Sequence, residues 1–213
     1  LEGANLRNLD LQGANLAYAN LRGADLRNSN LTFANAWNAD FRDADLRNTN
    51  FTKTMLRRSN FQGARFGNTY LFNAKCDDCN FAKVRFGAGT DFSRAGLYRA
   101  NFTEADFGSG ENTRLEMAQL NWAYLRKMDL RTTRIGWASL KNADFGDSNL
   151  SGKSIGHWDI NGARFQRCDM RGVVVDGLIA EDLDFEYANL EDSRFINSTI
   201  HSRISFNLSL IHI

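Results

Sequence analysis

A large apolar residue recurs every five residues from Leu6 to Leu210, and this spacing constrains the fold more than any other feature. An α-helix repeats its buried face every 3.6 residues and a strand every two, so a five-residue period fits neither. Leu or Phe occupies this central position at most steps, and the small or polar exceptions are Ala36, Cys76, Ala180 and Ser205. A fixed short period along the whole chain predicts a fold made by stacking the repeats themselves.

The other four positions of each five-residue unit, or pentad, also have a fixed character. A small residue stands two positions before the centre, as at Ala4, Ser29 and Thr49. The residue between them is mostly Asn or Asp, and the two after the centre are mainly Arg, Asn, Gly, Ser, Thr or Lys. We therefore predict that the centre and the small position face inward and that the other three positions face outward.

This A-[ND]-[LF]-x-x pattern resembles the pentapeptide-repeat family, and the resemblance covers essentially the whole chain. It implies an all-β fold, a right-handed quadrilateral parallel β-helix with one pentad on each of four faces. Coils of four pentads would stack at the strand spacing of about 4.8 Å, so this chain would form about ten of them. Each coil would bury its apolar residues only against its neighbours, as in other solenoids.

Two short insertions interrupt the period, one residue within 87–91 and three within 108–114, which we predict to be a bulge and a corner loop. If both loop out, one face receives a column of centres that is almost entirely Phe. Its members are Leu21, Phe41, Phe61, Phe81, Phe102, Leu125, Phe145, Phe165 and Phe185. The opposite face then receives only non-aromatic centres, among them Leu16, Ala36 and Cys76. A wide column facing a narrow one fills a core without voids.

Composition predicts a single domain spanning 1–213, because the chain has no Pro and no linker-like segment. Leu1 lies in a running repeat and is not Met, so we expect the natural N-terminus to be missing. No stretch is long and apolar enough to predict a membrane span. No disulfide framework is evident in the sequence, which favours a reducing compartment, and we expect a cytoplasmic location.

An acidic segment near the end of the chain and one Trp are the candidate partner-binding residues. They are Asp176, Glu181, Asp182, Asp184, Glu186, Glu191, Asp192 and Trp158. Trp158 occupies a position where the pattern requires a small residue, as do Lys153, Leu178, Leu183 and Arg203. Such residues must deform the coil or turn outward, so residues 151–185 are predicted to be a distorted face.

The main functional hypothesis is a non-enzymatic rod or scaffold that presents outward side chains to a protein partner. Some pentapeptide-repeat proteins are DNA mimics that bind type II topoisomerases such as gyrase, and this is the first alternative. Those mimics are strongly acidic, whereas this chain has a net charge of +1 and a pI of about 7.9. The second alternative is a binding or targeting module of a larger bacterial effector.

Enzymatic chemistry has little support in the sequence. The three His residues are outward or terminal, and no P-loop or nucleophile–base pair is present. We therefore expect no catalytic, cofactor-binding or metal site, and we do not expect direct binding of nucleic acid. The outward residues Trp37, Trp122 and Trp137 are compatible with a protein partner.

Two further features leave alternatives open. Cys76 and Cys79 form a C-x-x-C that can indicate zinc or redox chemistry, but both lie at inward positions, so buried small residues are the favoured interpretation. The tail 204–213 is more apolar than a capping coil should be. Either a homo-oligomer formed through the C-terminal coil or an absent capping segment would cover it, and we favour self-association.

Overall fold

The computed structural model describes residues 1–108 and 113–201, so Arg203 and the apolar tail lie outside the described residues. Parallel β-bridges join residues 20 positions apart along this length, or 21 and 23 positions apart where they cross the two insertions. Four ladders of such bridges begin with Asn5–Asp25, Asp10–Asn30, Asn15–Asn35 and Asn20–Asp40, and we call them ladders A, B, C and D. The described residues contain no helix, and the fold is the β-helix solenoid that the period predicts.

Continuous strands occur late in the chain. They are β1 (Ser154–Gly156), β2 (Val174–Asp176), β3 (Ile179–Glu181), β4 (Arg194–Ile196) and β5 (Thr199–His201). Strands β1, β2 and β4 form a parallel sheet that continues ladder B, and β3 pairs with β5 in ladder C. The late coils therefore differ locally from the early ones; strands β1 to β3 lie within the predicted region 151–185, whereas β4 and β5 lie beyond it.

The outward residues make the turns between ladders. The second residue after each centre commonly has a positive φ, for example 58° at Asn8 and 61° at Phe33. Asn, Asp and Gly adopt this left-handed conformation most readily, which explains their frequency at that position. The Asn or Asp before the centre accepts a hydrogen bond from the N–H two residues later, as Asn15 does from Ala17 at 3.2 Å.

Both insertions leave the ladders in register. Ladder B passes from Tyr70 to Asp91, from Asp91 to Arg114 and from Arg114 to Arg134, so the extra residues do not shift the following coils. The predicted Phe column is confirmed by parallel ring stacking at centroid distances of 4.8 to 5.3 Å. The stacked pairs are Phe41–Phe61, Phe61–Phe81, Phe81–Phe102, Phe145–Phe165 and Phe165–Phe185. All of these rings are buried.

One expectation about the core is wrong. Cys76 and Cys79 are buried as predicted, but they are joined by a disulfide bond. The centre of one pentad and the small position of the next both face inward across a corner. Their Cα atoms lie 5.3 Å apart here, which is within the range that a disulfide spans. The sequence-based argument for a reducing compartment therefore loses its premise.

Thiol labelling under three conditions tests this disulfide. Cys168 is a free cysteine, and burial raises the pKa of its thiol to about 12, so the folded protein is expected to take up no alkylating label. Unfolding without reductant should expose one of the three cysteines, and unfolding with reductant should expose all three. Three labels without reductant, measured by mass spectrometry, would contradict the bond.

Candidate functional site

The predicted acidic residues do not form one surface. Asp176 lies beside ladder B, Glu181 and Asp182 beside ladder C, Asp184 and Glu186 beside ladder D, and Glu191 and Asp192 follow ladder A. Some make polar contacts with neighbouring coils, since the Gln166 amide donates to Asp184 at 2.8 Å and the Asn197 amide to Asp176 at 3.2 Å. The structure thus distributes these carboxylates around the solenoid. Of the eight candidates, Asp176 and Trp158 line a common cleft.

That cleft opens where ladder B is interrupted. Along this ladder the N–H before each centre normally donates to a carbonyl one coil back, as Asn30 does to Leu9 at 2.9 Å and Arg134 to Thr113 at 3.3 Å. Ser154 forms no such bond to Thr133 within the described part of the chain. The Lys153 amine donates to the Thr133 carbonyl instead, at 2.5 Å.

The interruption follows from the residue at the small inward position. Lys153 stands where Ala or Thr fits elsewhere, and its side chain is too long for that space. Its amine turns back onto main-chain carbonyls, with a longer contact of 3.4 Å to Arg131 O. The ladders on either side stay closed, since the bridges Asp129–Asn149 and Ser139–Asp159 are both present. The opening is therefore confined to the face beside ladder B.

Glycines keep this opening clear. Gly136 and Gly156 occupy the outward position after the centre, where the coils before and after them carry Glu116 and Asp176. A Cβ atom added at Gly156 would meet nothing within 4 Å. The resulting cleft has a volume of 830 Å³, large enough for a small ligand or part of a peptide. Its lining includes Arg131, Thr133, Arg134, Lys153, His157, Trp158 and Asp176.

The charged side chains that line the cleft differ in whether they have ion-pair partners. Arg131 pairs with Asp129 at 2.6 Å, and Arg134 pairs with Glu116 at 2.7 Å. The Lys153 amine has no carboxylate within ion-pair distance among the described residues. Burial lowers the pKa of Lys153 to about 8, and the charge of Asp129 acts in the opposite direction. At the rim the Trp137 ring stacks on the His157 ring at 4.1 Å.

The lowered pKa of Lys153 gives a test by pH. Because the pKa of Lys153 is about 8 in the folded protein and 10.5 for an ordinary lysine, the unfolded state binds more protons between these values. The free energy of unfolding is therefore expected to rise with pH across this window. Replacing Lys153 by Met should stabilise the protein at pH 7 and remove this rise, as measured by urea unfolding at several pH values. The exposed Lys141, paired with Asp159 at 3.2 Å, is the control, and a K141M variant with the same effect would contradict the assignment.

Exposed aromatic and large apolar side chains at outward positions concentrate beside two consecutive ladders. Beside ladder B they are Phe33, Tyr70, Phe72, Met117 and Trp137, and beside ladder C they are Tyr18, Met55, Tyr98, Trp122 and Ile179. Ladder D has Tyr124 and Tyr187, and ladder A has none among the described residues. We call the first two sets face B and face C. The predicted outward orientation of Trp122 and Trp137 is confirmed.

Several of these rings are held by neighbours one coil away. The Lys53 amine lies 5.3 Å from the centre of the Phe33 ring, and the Arg94 guanidinium lies 5.8 Å from that of Phe72. Such cation–π contacts fix a ring without covering its outer edge. Face B thus carries aromatic groups that are both held by a neighbouring coil and accessible.

The roles of two residues in this site differ from those that the sequence predicts. Trp158 is a predicted partner contact, but it is 95% buried and packs near Phe145, with ring centres 6.4 Å apart. Lys153 is irregular in the sequence pattern, but the pattern does not predict a role for it in a site. The signal that identifies the cleft is the combination of a long residue at a small inward position with glycines at Gly136 and Gly156 on the same ladder.

The repeats can now be compared with known proteins. A family model for pentapeptide repeats matches eight copies, over residues 1–32, 24–63, 56–87 and 138–177. The chain belongs to the pentapeptide-repeat family. Among curated proteins, none matches it.

Solved structures of other pentapeptide-repeat proteins are similar to it. HetL from the cyanobacterium Nostoc sp. strain PCC 7120, involved in heterocyst differentiation regulation, is 23% identical over 85% of this chain and 84% of its own, with a TM-score of 0.42. Full-length QnrB1, a plasmid-mediated fluoroquinolone resistance protein, is 20% identical over 91% and 92%, with a TM-score of 0.34. AT2G44920 from the Arabidopsis thaliana thylakoid lumen is 25% identical over 52% and 70%, with a TM-score of 0.34.

Residues 1–108 and 113–201 have neither a membrane-spanning helix nor a cluster of metal-ligating residues. No helix there has the length and apolar character needed to cross a membrane. No group of three or more His, Cys, Asp or Glu residues is placed to hold a metal ion in the same ranges.

Proposed function

We propose that this pentapeptide-repeat protein is a non-enzymatic rod, wound as a right-handed quadrilateral β-helix of about ten coils over residues 1–213, that binds another protein through faces B and C. The observation that carries the proposal is the concentration of exposed aromatic side chains on these two faces. Aromatic residues are enriched at protein interfaces and supply much of their binding energy. A solvated surface has no comparable need for them.

The dimensions of face B suit a protein partner. Phe33 and Trp137 lie five coils apart, which corresponds to about 24 Å at the strand spacing. A standard interface buries roughly 800 Å² on each partner, so a patch of this length would have to be about 33 Å wide, which requires face C as well as face B. The rigid ladders beneath would keep these side chains in place, so little conformational entropy would be lost on binding.

The charge distribution supports this proposal over a mimic of DNA that binds gyrase. A mimic needs a continuous line of negative charge along the rod. Here the carboxylates of the acidic segment are divided among four faces, and Asp25 and Asp45 beside ladder A pair with Arg27 and Arg47, both at 2.6 Å. We expect gyrase supercoiling to be unaffected by the purified protein, and inhibition or protection of gyrase would restore the alternative.

Two further hypotheses stay predictions. The tail that would mediate self-association lies outside the described residues, and the origin of the chain in a larger effector is testable from its full reading frame. For location, the disulfide between Cys76 and Cys79 favours an oxidising compartment over the cytoplasm.

Site-specific photo-crosslinking tests the use of faces B and C. A crosslinking amino acid at Trp137 or Tyr98 is expected to capture a defined partner in lysate of the source cell, which mass spectrometry then identifies. The same group at Tyr124 beside ladder D, which is similarly exposed, should not capture it. The partner, once purified, should bind the wild-type rod and lose at least tenfold in affinity for a variant with Trp137→Ser and Tyr98→Ser, as expected for aromatic hot spots. Equal capture from Tyr124 would contradict the assignment of the faces.

A further inference from the structure

The cleft around Lys153 has unpaired hydrogen-bonding groups in its main chain. Elsewhere on ladder B the centre and the second residue after it donate to the next coil, as Leu115 does to Arg134 O at 2.7 Å and Met117 to Gly136 O at 2.9 Å. The corresponding N–H groups of Ile135 and Trp137 make no backbone hydrogen bond among the described residues. Main-chain donors without a partner in the protein are available to a ligand or to water.

A side chain of the same cleft is also unpaired. The Thr133 hydroxyl is buried and has no hydrogen-bond partner within the described part of the chain. Other Thr residues at this inward position donate to a carbonyl of the preceding coil, as Thr49 does to Leu26 O at 2.8 Å. The cleft therefore has an unpaired hydroxyl beside its unpaired main-chain N–H groups, whereas the Thr49 hydroxyl in a regular coil is paired.

The charge of the cleft selects the kind of ligand. Of its cations, Arg131 and Arg134 are already paired with carboxylates, and Lys153 alone has only neutral carbonyl oxygens as partners. Asp176 also lines the cleft and would repel a second negative charge. A single lysine without a carboxylate partner, in a cleft that also holds Asp176, favours a group with one negative charge, a carboxylate, over a phosphate.

We propose that the cleft between Lys153 and the stacked pair Trp137–His157 binds a carboxylate group. The Lys153 amine and the free N–H groups of ladder B bind its oxygens, and the aromatic rings and Trp158 contact the carbon chain that bears it. The carboxylate is either a side chain or C-terminus of the protein partner, which rests on the proposed function, or a free small carboxylic acid.

The reactivity of Lys153 provides the readout. A carboxylate bound beside the amine favours its charged form, and at pH 8 a rise of one unit in a pKa of about 8 lowers the fraction of reactive neutral amine about fivefold. The rate of acetylation of each lysine at pH 8 is measured on the full chain by mass spectrometry. The free-acid probe is N-acetylglycine, and its neutral control is N-acetylglycinamide. The peptide probe is a blocked peptide containing Glu, and its neutral control is the same peptide containing Gln.

We expect the carboxylate probes to slow acetylation of Lys153 several-fold and the neutral control compounds to leave its rate unchanged. Acetylation of Lys141 should not respond to any probe. Protection by the Glu peptide alone would indicate that the site binds a carboxylate of a protein partner. Protection by both carboxylate probes would indicate that it also binds free small carboxylic acids. No protection by either carboxylate, or stronger protection by inorganic phosphate, would overturn the proposal.

A variant that fills the cleft provides the second test. Gly156→Val adds a branched side chain within strand β1, where the space is open, and leaves every charge in place. It is expected to abolish protection by the probes while Lys153 is still acetylated, and retained protection would overturn the proposal. Crosslinking from Trp137 to a protein partner is measured separately. Failure of the carboxylate-binding test would therefore leave the proposed protein-binding function standing, and the reverse also holds.

Discussion

Removal of one pentad, residues 56–60, is expected to abolish cooperative unfolding, whereas removal of a complete coil, residues 41–60, is expected to preserve it. Deleting five residues moves every later centre to the preceding ladder. Phe61 would then follow Ala36 in the narrow column, and the later Phe residues would follow it there. Each overpacked site costs about 1–3 kcal/mol, and several together exceed the 5–15 kcal/mol that stabilises a typical domain.

The longer deletion keeps each centre in its own column. Phe61 would then stack on Leu21, and all bridges above it would re-form one coil lower. The measurement is urea unfolding followed by circular dichroism, with both variants compared at the same protein concentration. A cooperative transition after the five-residue deletion, or none after the 20-residue deletion, would contradict the account of the ladders.

Replacement of Phe61 by Ala is expected to cost about 3–5 kcal/mol of the free energy of unfolding. The ring is fully buried and lies between Phe41 and Phe81, with centroid distances of 4.9 and 4.8 Å. Its removal leaves a cavity that the neighbouring coils cannot close, because their spacing is fixed by hydrogen bonds on every ladder. Chemical unfolding measures this loss directly.

Phe33 is the matched control for this substitution. Its ring is 53% exposed and contacts the Lys53 amine, so Phe33→Ala is expected to cost about 1 kcal/mol or less. A similar loss from both variants would contradict the distinction between the inward centre and the outward turn position.

The period predicted the fold because each pentad repeats the same physical requirement. A small residue and a large apolar one must share the inside of every coil, so Leu, Phe and Ala reveal which positions are buried. The sorting of centres by face also succeeded, since a Phe placed on the narrow column would collide with its neighbours. Core packing is thus encoded locally, and it survives both insertions.

The outward groups were harder to predict because their roles depend on contacts between coils. The acidic residues are contiguous in sequence, but successive pentads turn them onto different faces. The bond between Cys76 and Cys79 depends on the geometry of a corner, which spacing alone does not give. The cleft needed both the intrusion of Lys153 and the absence of side chains at Gly136 and Gly156, and Gly136 lies one coil before the other two residues.

Disulfide trapping across the second insertion tests the central claim, that the ladders keep their register through it, most directly. Asp91 and Arg114 face each other on ladder B, with Nη1 and Oδ2 3.8 Å apart. Cysteines at these two positions lie at the strand spacing of about 4.8 Å, within the Cα distances that a disulfide spans. The background carries Ala in place of Cys76, Cys79 and Cys168, since Ala suits these inward positions. We expect cysteines at positions 91 and 114 to crosslink rapidly. Preferential crosslinking of positions 91 and 111, which a strict 20-residue step would require, would contradict the account.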